Sequence, residues 1–277
     1  MNVFHPEIAD TVRRALAEDI GSGDITTNLC VPADALATGR MFARECLTLA
    51  GIELLPLVFE TCKVDLFHFS GARLDAGTEV ACVRGSARAL LTGERTALNF
   101  VQRLSGVATL TSTYVREVEG TGCRILDTRK TTPGLRRLEK MATAAGGGVN
   151  HRMGLYDAVL IKNNHITAAG GVRAALDRSR GGVRLNISVE VEVRTLAELD
   201  EALACGATLL LLDNLTPAEA KQWIEHIAGR AKVELSGGIT LETVRAYAEA
   251  GADFISCGAL THSAPAVDLN FRLELGF

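Results

Sequence analysis

The sequence predicts an α/β protein: a parallel sheet wound with helices, preceded by a separate α+β region. Three observations point to it. After about residue 120, short apolar strands alternate with amphipathic helices. The last four strand centres, near 190, 210, 234 and 255, recur every 20 to 24 residues, the length of one strand, one helix and two loops. Two helix ends also repeat, with Ala204–Ala207 and Glu249–Ala252 each placing a glycine at the helix C-terminus before the next strand.

Along the chain, His5–Asp19 reads as an amphipathic helix, Ala37–Ala50 and Val64–Gly85 as strand-rich segments with Gly turns, and Ala87–Leu104 as a long helix. These predict an α+β domain over residues 1–108. No Pro/Ser-rich linker follows, so its boundary near Gly106 is soft. Six strands are then expected: Arg124–Thr128, Ala158–Lys162, Ile187–Val193, Thr208–Asp213, Val233–Ser236 and Asp253–Cys257. A complete barrel has eight. A partial α/β barrel over residues 109–267 is therefore expected, with an open doubly wound sheet as the alternative, and the tail 268–277 is expected to pack back onto the first domain. Arg129, Lys130, Lys162, Glu192, Asp213, Ser236 and Gly258 all fall at strand ends. In a barrel those ends form one rim, where active sites are built.

Composition narrows the function. The 277 residues are 47% hydrophobic and 22% charged, an ordinary globular balance. No apolar run suits a signal peptide or a membrane span, so a cytoplasmic protein with no membrane partner is expected. Seven cysteines without a C-x-x-C pair predict neither a disulfide framework nor a zinc site. A net charge of −4 argues against nucleic acid as a partner. Within this acidic chain, residues 127–165 hold seven cations (Arg129, Lys130, Arg136, Arg137, Lys140, Arg152, Lys162) against three acids (Asp127, Glu139, Asp157). The block's +4 leaves −8 elsewhere. A compact basic site on an acidic body suits a small, multiply anionic ligand; a solvated charged helix would give the same count.

The motifs favour the ligand. Asp127–Gly134 leaves a strand with two adjacent cations and three threonines, the equipment for gripping phosphate or carboxylate oxygens. Gly146–Arg152 adds three glycines, which admit a ligand close to the backbone, then His151 and Arg152. Lys162 ends an apolar strand, where an unpaired ammonium is costly; it would pair with an anion or form a Schiff base. In Ile187–Val193 strict alternation puts Glu190 and Glu192 on one face. With Asp213 these carboxylates would bind Mg²⁺ or sugar hydroxyls. Gly-rich turns at Ser236–Gly238 and Gly258 match the phosphate cradle of such barrels. The rim so described fits a phosphosugar beside an acidic second substrate.

At these residues the sequence resembles the quinolinate phosphoribosyltransferase family. The likeness runs in order through Glu18–Thr27, Glu94–Phe100, Leu104–Thr109, Asp127–Arg136, Gly146–Leu155, Leu160–His165, Glu190–Val193, Leu212–Asn214, Ser236–Ile239 and Leu260–Ser263. It implies an N-terminal open-faced sandwich, an incomplete α/β barrel, and a homodimer whose active sites are shared between subunits. The implied reaction joins quinolinate to 5-phosphoribosyl 1-pyrophosphate with Mg²⁺, giving nicotinate mononucleotide, pyrophosphate and CO₂. By matching position, Arg129, His151 and Arg152, with Arg95 from the partner, would hold quinolinate, and Lys130 and Lys162 would lie between its carboxylates and the pyrophosphate. Glu192 and Asp213 would serve ribose hydroxyls and Mg²⁺, with Ser236, Gly237, Gly238 and Gly258 around the 5′-phosphate. Asn163 departs from the family, which often has an acid there. Competing readings are a paralogous phosphoribosyltransferase for another acid, a non-catalytic sensor that kept the pocket, and a Schiff-base aldolase using Lys162.

Overall fold

The helix expected over Ala87–Leu104 continues to Glu117 in the computed structural model, which describes residues 5–182 and 187–275. Residues 276–277, the end of the expected tail, lie outside the described residues. Gly106, read as a soft boundary, sits inside this helix because a Cβ there would fall on the Pro265 carbonyl oxygen. Its role is close approach, not a break. Gly106→Ala is expected to lower Tm by a few degrees in a thermal melt: displacing backbone costs about 1–3 kcal/mol, more than the ~1 kcal/mol Ala gains in helix propensity.

Two compact units result, and they do not follow a single cut near residue 108. One comprises the described residues of Met1–Ser112, Thr131–Gly147 and Leu260–Phe277; the other comprises those of Thr113–Lys130 and Gly148–Ala259. The strands are β1 (Leu36–Ala43), β2 (Leu47–Thr48), β3 (Lys63–Leu66), β4 (Arg73–Leu74), β5 (Glu79–Ser86), β6 (Arg124–Leu126), β7 (Val159–Ile161), β8 (Val189–Val193), β9 (Leu209–Asp213), β10 (Lys232–Ser236), β11 (Phe254–Ser256) and β12 (Leu269–Leu275).

In the first unit an antiparallel sheet of order β12-β1-β5-β3 stands beside the small β2-β4 pair. Alternation along β1 buries Ala37, Met41 and Ala43 in one core with Ile8 and Val12 of the Pro6–Ile20 helix and Leu90, Ala97 and Val101 of the long helix. Off that core face, Arg40 pairs with Glu79 at 2.7 Å and Arg84 with Asp65. One face is thus covered and the other wet, an open-faced sandwich, with the C-terminal strand β12 on the edge next to β1. The Arg136–Ala145 helix carries a buried ion pair: Arg103 donates to Glu139 through Nη2 at 2.8 Å and Nε at 3.2 Å, and the Thr132 N–H and hydroxyl donate to the same carboxylate. Glu139 and Lys140 are both fully buried.

The second unit holds the six expected strands in one parallel sheet of order β6-β11-β10-β9-β8-β7. From β7 to β11 each strand lies beside its successor, and β6 closes on β11. A doubly wound sheet reverses direction at a switch point; this one does not. It is a barrel left open between β6 and β7, hence an incomplete α/β barrel. Three of its helices begin on threonine caps, Thr195, Thr216 with Glu219 in a capping box, and Thr240. After two of them, Gly206 and Gly251 turn the chain at φ of 73° and 101°. Among the described residues no helix is long and apolar enough to cross a membrane.

Candidate active site

Because all six barrel strands are parallel, their C-terminal ends share one rim. β6 leads there to Asp127, Arg129 and Lys130, β7 to Lys162, β8 to Glu192, β9 to Asp213, β10 to Ser236 and β11 to Gly258. Asp127 is fully buried, and its Oδ1 accepts the His151 N–H at 2.8 Å. A bridge between Leu126 and Val149 brings the glycine-rich segment alongside β6, so residues 127–130 and 149–152 run together. Arg129 and Arg152 are then close enough to interact: burial first, and the Arg129 charge second, pull the Arg152 pKa below its ordinary value. Two like charges held together at a barrel mouth form an anion-binding arrangement. Arg152 is steadied by donating from Nη1 to the Ala158 carbonyl at 3.1 Å.

Below the arginines lies a buried cluster of His151, Glu190 and Glu234. His151 Nε2 is 3.1 Å from Glu190 Oε2 and 3.4 Å from Glu234 Oε2. Burial disfavours a charged imidazole, but hydrogen bonds to the two carboxylates outweigh it and favour a pKa pushed up to about 9. A third interaction opposes the second proton. Nδ1 accepts the Arg152 backbone N–H at 2.7 Å, where an Nδ1–H would meet another donor, so we assign the neutral ring with its proton on Nε2. Burial foremost raises Glu190 to about 7. The three ligand atoms lie within 4.8 Å of one another, a spacing that could suit a cation, but a protonated Nε2 has no lone pair to offer one.

Further along the rim, Lys162, Glu192 and Asp213 interact. Burial and then the nearby Asp213 raise the Glu192 pKa, while Lys162 works to lower it. Asn214, at a positive φ of 59°, donates its side-chain N–H to Asp213 Oδ2 at 2.6 Å and its backbone N–H to the Ser236 carbonyl at 2.9 Å. Gly237 must lack a side chain: its φ is 101°, and a Cβ would strike Asn214. The turn beside Asp213 is therefore built of bare backbone and leads through Gly238 and Ile239 to the Thr240 cap of the Leu241–Glu249 helix.

Several expectations change. Lys162 is exposed, not buried, because β7 is an open edge of the sheet, and His165 Nδ1 accepts the Lys162 N–H at 2.8 Å, making that histidine a helix cap. The threonines of the Asp127–Gly134 segment are used within the chain: Thr128 accepts the Lys130 N–H, Thr131 accepts from Arg136, and Thr132 serves Glu139. Gly146 is buried where a Cβ would fall on the Ala108 carbonyl oxygen, so it serves packing. Glu190 and Glu192 share a strand face but have separate neighbours, one with His151 and the other with Lys162 and Asp213. Arg95 lies exposed on the long helix of the first unit. Glu234 was not singled out beforehand, although a carboxylate in the middle of apolar β10 was a signal that it has a buried partner.

Comparison with known proteins gives this rim its family. The model described as quinolinate phosphoribosyl transferase, N-terminal domain, matches residues 24–105, and the corresponding C-terminal domain matches residues 107–272. A Mycobacterium leprae relative named nicotinate-nucleotide pyrophosphorylase (carboxylating) is 44% identical over 95% of this chain and 96% of its own. A Bacillus subtilis relative, named as a probable enzyme of the same kind, is 39% identical over 98% and 95%. The crystal structure of NadC from Streptococcus pyogenes superposes with a TM-score of 0.93 at 39% identity, covering 100% of this chain and 99% of that one. With both domain models matched and both relatives aligned almost end to end, the chain belongs to the quinolinate phosphoribosyltransferase family.

Proposed function

We propose that the chain transfers a phosphoribosyl group from 5-phosphoribosyl 1-pyrophosphate to quinolinate, giving nicotinate mononucleotide, pyrophosphate and CO₂ on the route to NAD. The observation that carries this reading is the Arg129–Arg152 pair, whose mutual repulsion a dianionic acid relieves. Arg129 and Arg152 take the carboxylates from the barrel side, with His151 at the base of the Arg152 loop. The partner subunit's Arg95 completes the grip in a homodimer, consistent with Arg95 being exposed on its helix. Lys130 and Lys162 lie toward the pyrophosphate. The turns at Ser236, Gly237 and Gly238 and at Gly258 offer backbone donors to the 5′-phosphate. Glu192 and Asp213 are hard oxygen donors that repel each other, a donor set that fits Mg²⁺, directly or through water. When bound, Mg²⁺ supplies charge neutralisation for the departing pyrophosphate.

The chemistry asks the protein for position and charge rather than for a nucleophile. As the bond from the anomeric carbon to pyrophosphate oxygen breaks, the ribose gains oxocarbenium character beside the Glu192 and Asp213 carboxylates, and the pyridine nitrogen captures it. The carboxylate at C2 then leaves as CO₂, its electron pair accepted by the positively charged ring, and C2 takes a proton. The proposed setting is the cytoplasm, whose reducing conditions suit seven cysteines that are all free thiols.

Incubating purified protein with quinolinate, phosphoribosyl pyrophosphate and Mg²⁺ should yield nicotinate mononucleotide. No product, or equal product with nicotinate in place of quinolinate, would overturn the assignment.

A further inference from the structure

Glu190 and Glu234 have no part in the grip on acid or phosphosugar described above. Both are buried, at 3% and 2% exposure, and both face His151 Nε2. Resting on that functional reading, we infer that Glu190 and Glu234 are positioning residues for the acid-binding loop, holding His151 as its Nε2–H tautomer so that Nδ1 accepts and fixes the Arg152 N–H.

The tautomer follows from hydrogen-bond bookkeeping. A neutral imidazole has one donor and one acceptor. A backbone N–H can only donate, so Nδ1, at 2.7 Å from the Arg152 N–H, is the acceptor. Nε2 then carries the proton and needs an acceptor, which the two carboxylates supply at 3.1 and 3.4 Å. Next to it, the His151 N–H is held by Asp127 at 2.8 Å. Consecutive peptide N–H groups at 151 and 152 are thereby anchored, one by a carboxylate and one by the histidine ring. The main chain from which the Arg152 guanidinium is aimed has little freedom left. With both ring nitrogens committed, His151 contributes to the acid grip through Arg152 rather than through a ring N–H of its own. The same bookkeeping turns down a metal at this cluster, since ligation through Nε2 would move the ring proton to Nδ1 and break the Arg152 bond.

Apolar residues could fill the same volume, and a buried carboxylate pair is a poor source of stability. What the pair supplies is the choice of tautomer. Glu190→Ala and Glu234→Ala remove an acceptor from Nε2, whereas Glu190→Gln and Glu234→Gln keep one oxygen that still accepts.

The test combines ¹⁵N-histidine NMR of the full-length protein, with His151 assigned by its loss in His151→Asn, and steady-state kinetics. Wild-type His151 should show a proton on Nε2 and a bare Nδ1. The alanine variants should lose this single tautomer and raise the KM for quinolinate about 10-fold, equivalent to one lost hydrogen bond. The kcat at saturating quinolinate and the KM for phosphoribosyl pyrophosphate should stay within about threefold. The glutamine variants should recover most of the quinolinate KM. A proton on Nδ1 in the wild type, or alanine variants that raise both KM values alike, would overturn the inference. Should the alanine variants not fold, wild-type NMR and the glutamine variants decide it. If the wild type makes no nicotinate mononucleotide, the functional reading fails, and the NMR result still decides the tautomer.

Discussion

Arg129→Ala is expected to raise the KM for quinolinate by roughly 10²–10³, with little change in the KM for phosphoribosyl pyrophosphate. A guanidinium meets a carboxylate through two parallel charge-assisted hydrogen bonds. Truncating one partner of such a desolvated pair costs about 2–5 kcal/mol, and each 1.4 kcal/mol is about a factor of ten. In the free protein the Arg129 charge, after burial, helps hold the Arg152 pKa down. Calorimetric titration with quinolinate should show the affinity collapse. Arg129→Lys should recover only part of it, because a lysine keeps the charge but not the planar fork. An unchanged quinolinate affinity in Arg129→Ala would remove the residue from the acid site and with it the main support for the substrate assignment.

Much of this architecture was legible because buried parallel strands read as apolar runs that stop at a polar residue. LeuLeuLeuLeuAsp in β9 does so at the rim, and glycines close two of the helices between strands. Charge counting was less faithful. Among the ten charges of residues 127–165, Glu139 and Lys140 are fully buried in the first unit, Glu139 against Arg103, and neither belongs to the rim. That pairing joins residues far apart in the chain, so no local pattern announces it. The same holds for His151, whose carboxylate partners come from β8 and β10. What could be read was only that Glu190 and Glu234 interrupt apolar strands and must meet something polar. Gly106 and Gly146 show the converse limit: composition marks a glycine, but only packing tells whether the bare Cα serves a turn, a ligand or a neighbouring carbonyl.

Asp213→Ala should act on the other substrate. Two carboxylates near each other, one of them partly buried, repel, and Glu192 responds by holding its proton more tightly than usual, first through burial and next through Asp213. On the proposed function a divalent cation would relieve that repulsion, and the pair would take Mg²⁺ and the ribose hydroxyls. Asn214 fixes Asp213 from behind at 2.6 Å and is itself tied to β10 through the Ser236 carbonyl, which aims the carboxylate before substrate arrives. Removing Asp213 should cut kcat/KM for phosphoribosyl pyrophosphate by about 10²–10³ and raise the Mg²⁺ concentration needed for half-maximal rate, because losing one preorganised group that stabilises transition-state charge commonly costs about 3–4 kcal/mol. Quinolinate affinity should be nearly unchanged. The sign of a second effect is also set: without its neighbour, Glu192 should release its proton at a lower pH, which a carboxyl-labelled NMR titration of the free protein can follow. Asp213→Asn, keeping an oxygen but not the charge, should fall between wild type and alanine in rate, yet match alanine in the Glu192 titration. If Asp213→Ala instead weakened quinolinate and left the phosphosugar untouched, acid and phosphosugar would have to exchange ends of the rim, and the Arg129–Arg152 pair would be binding phosphate.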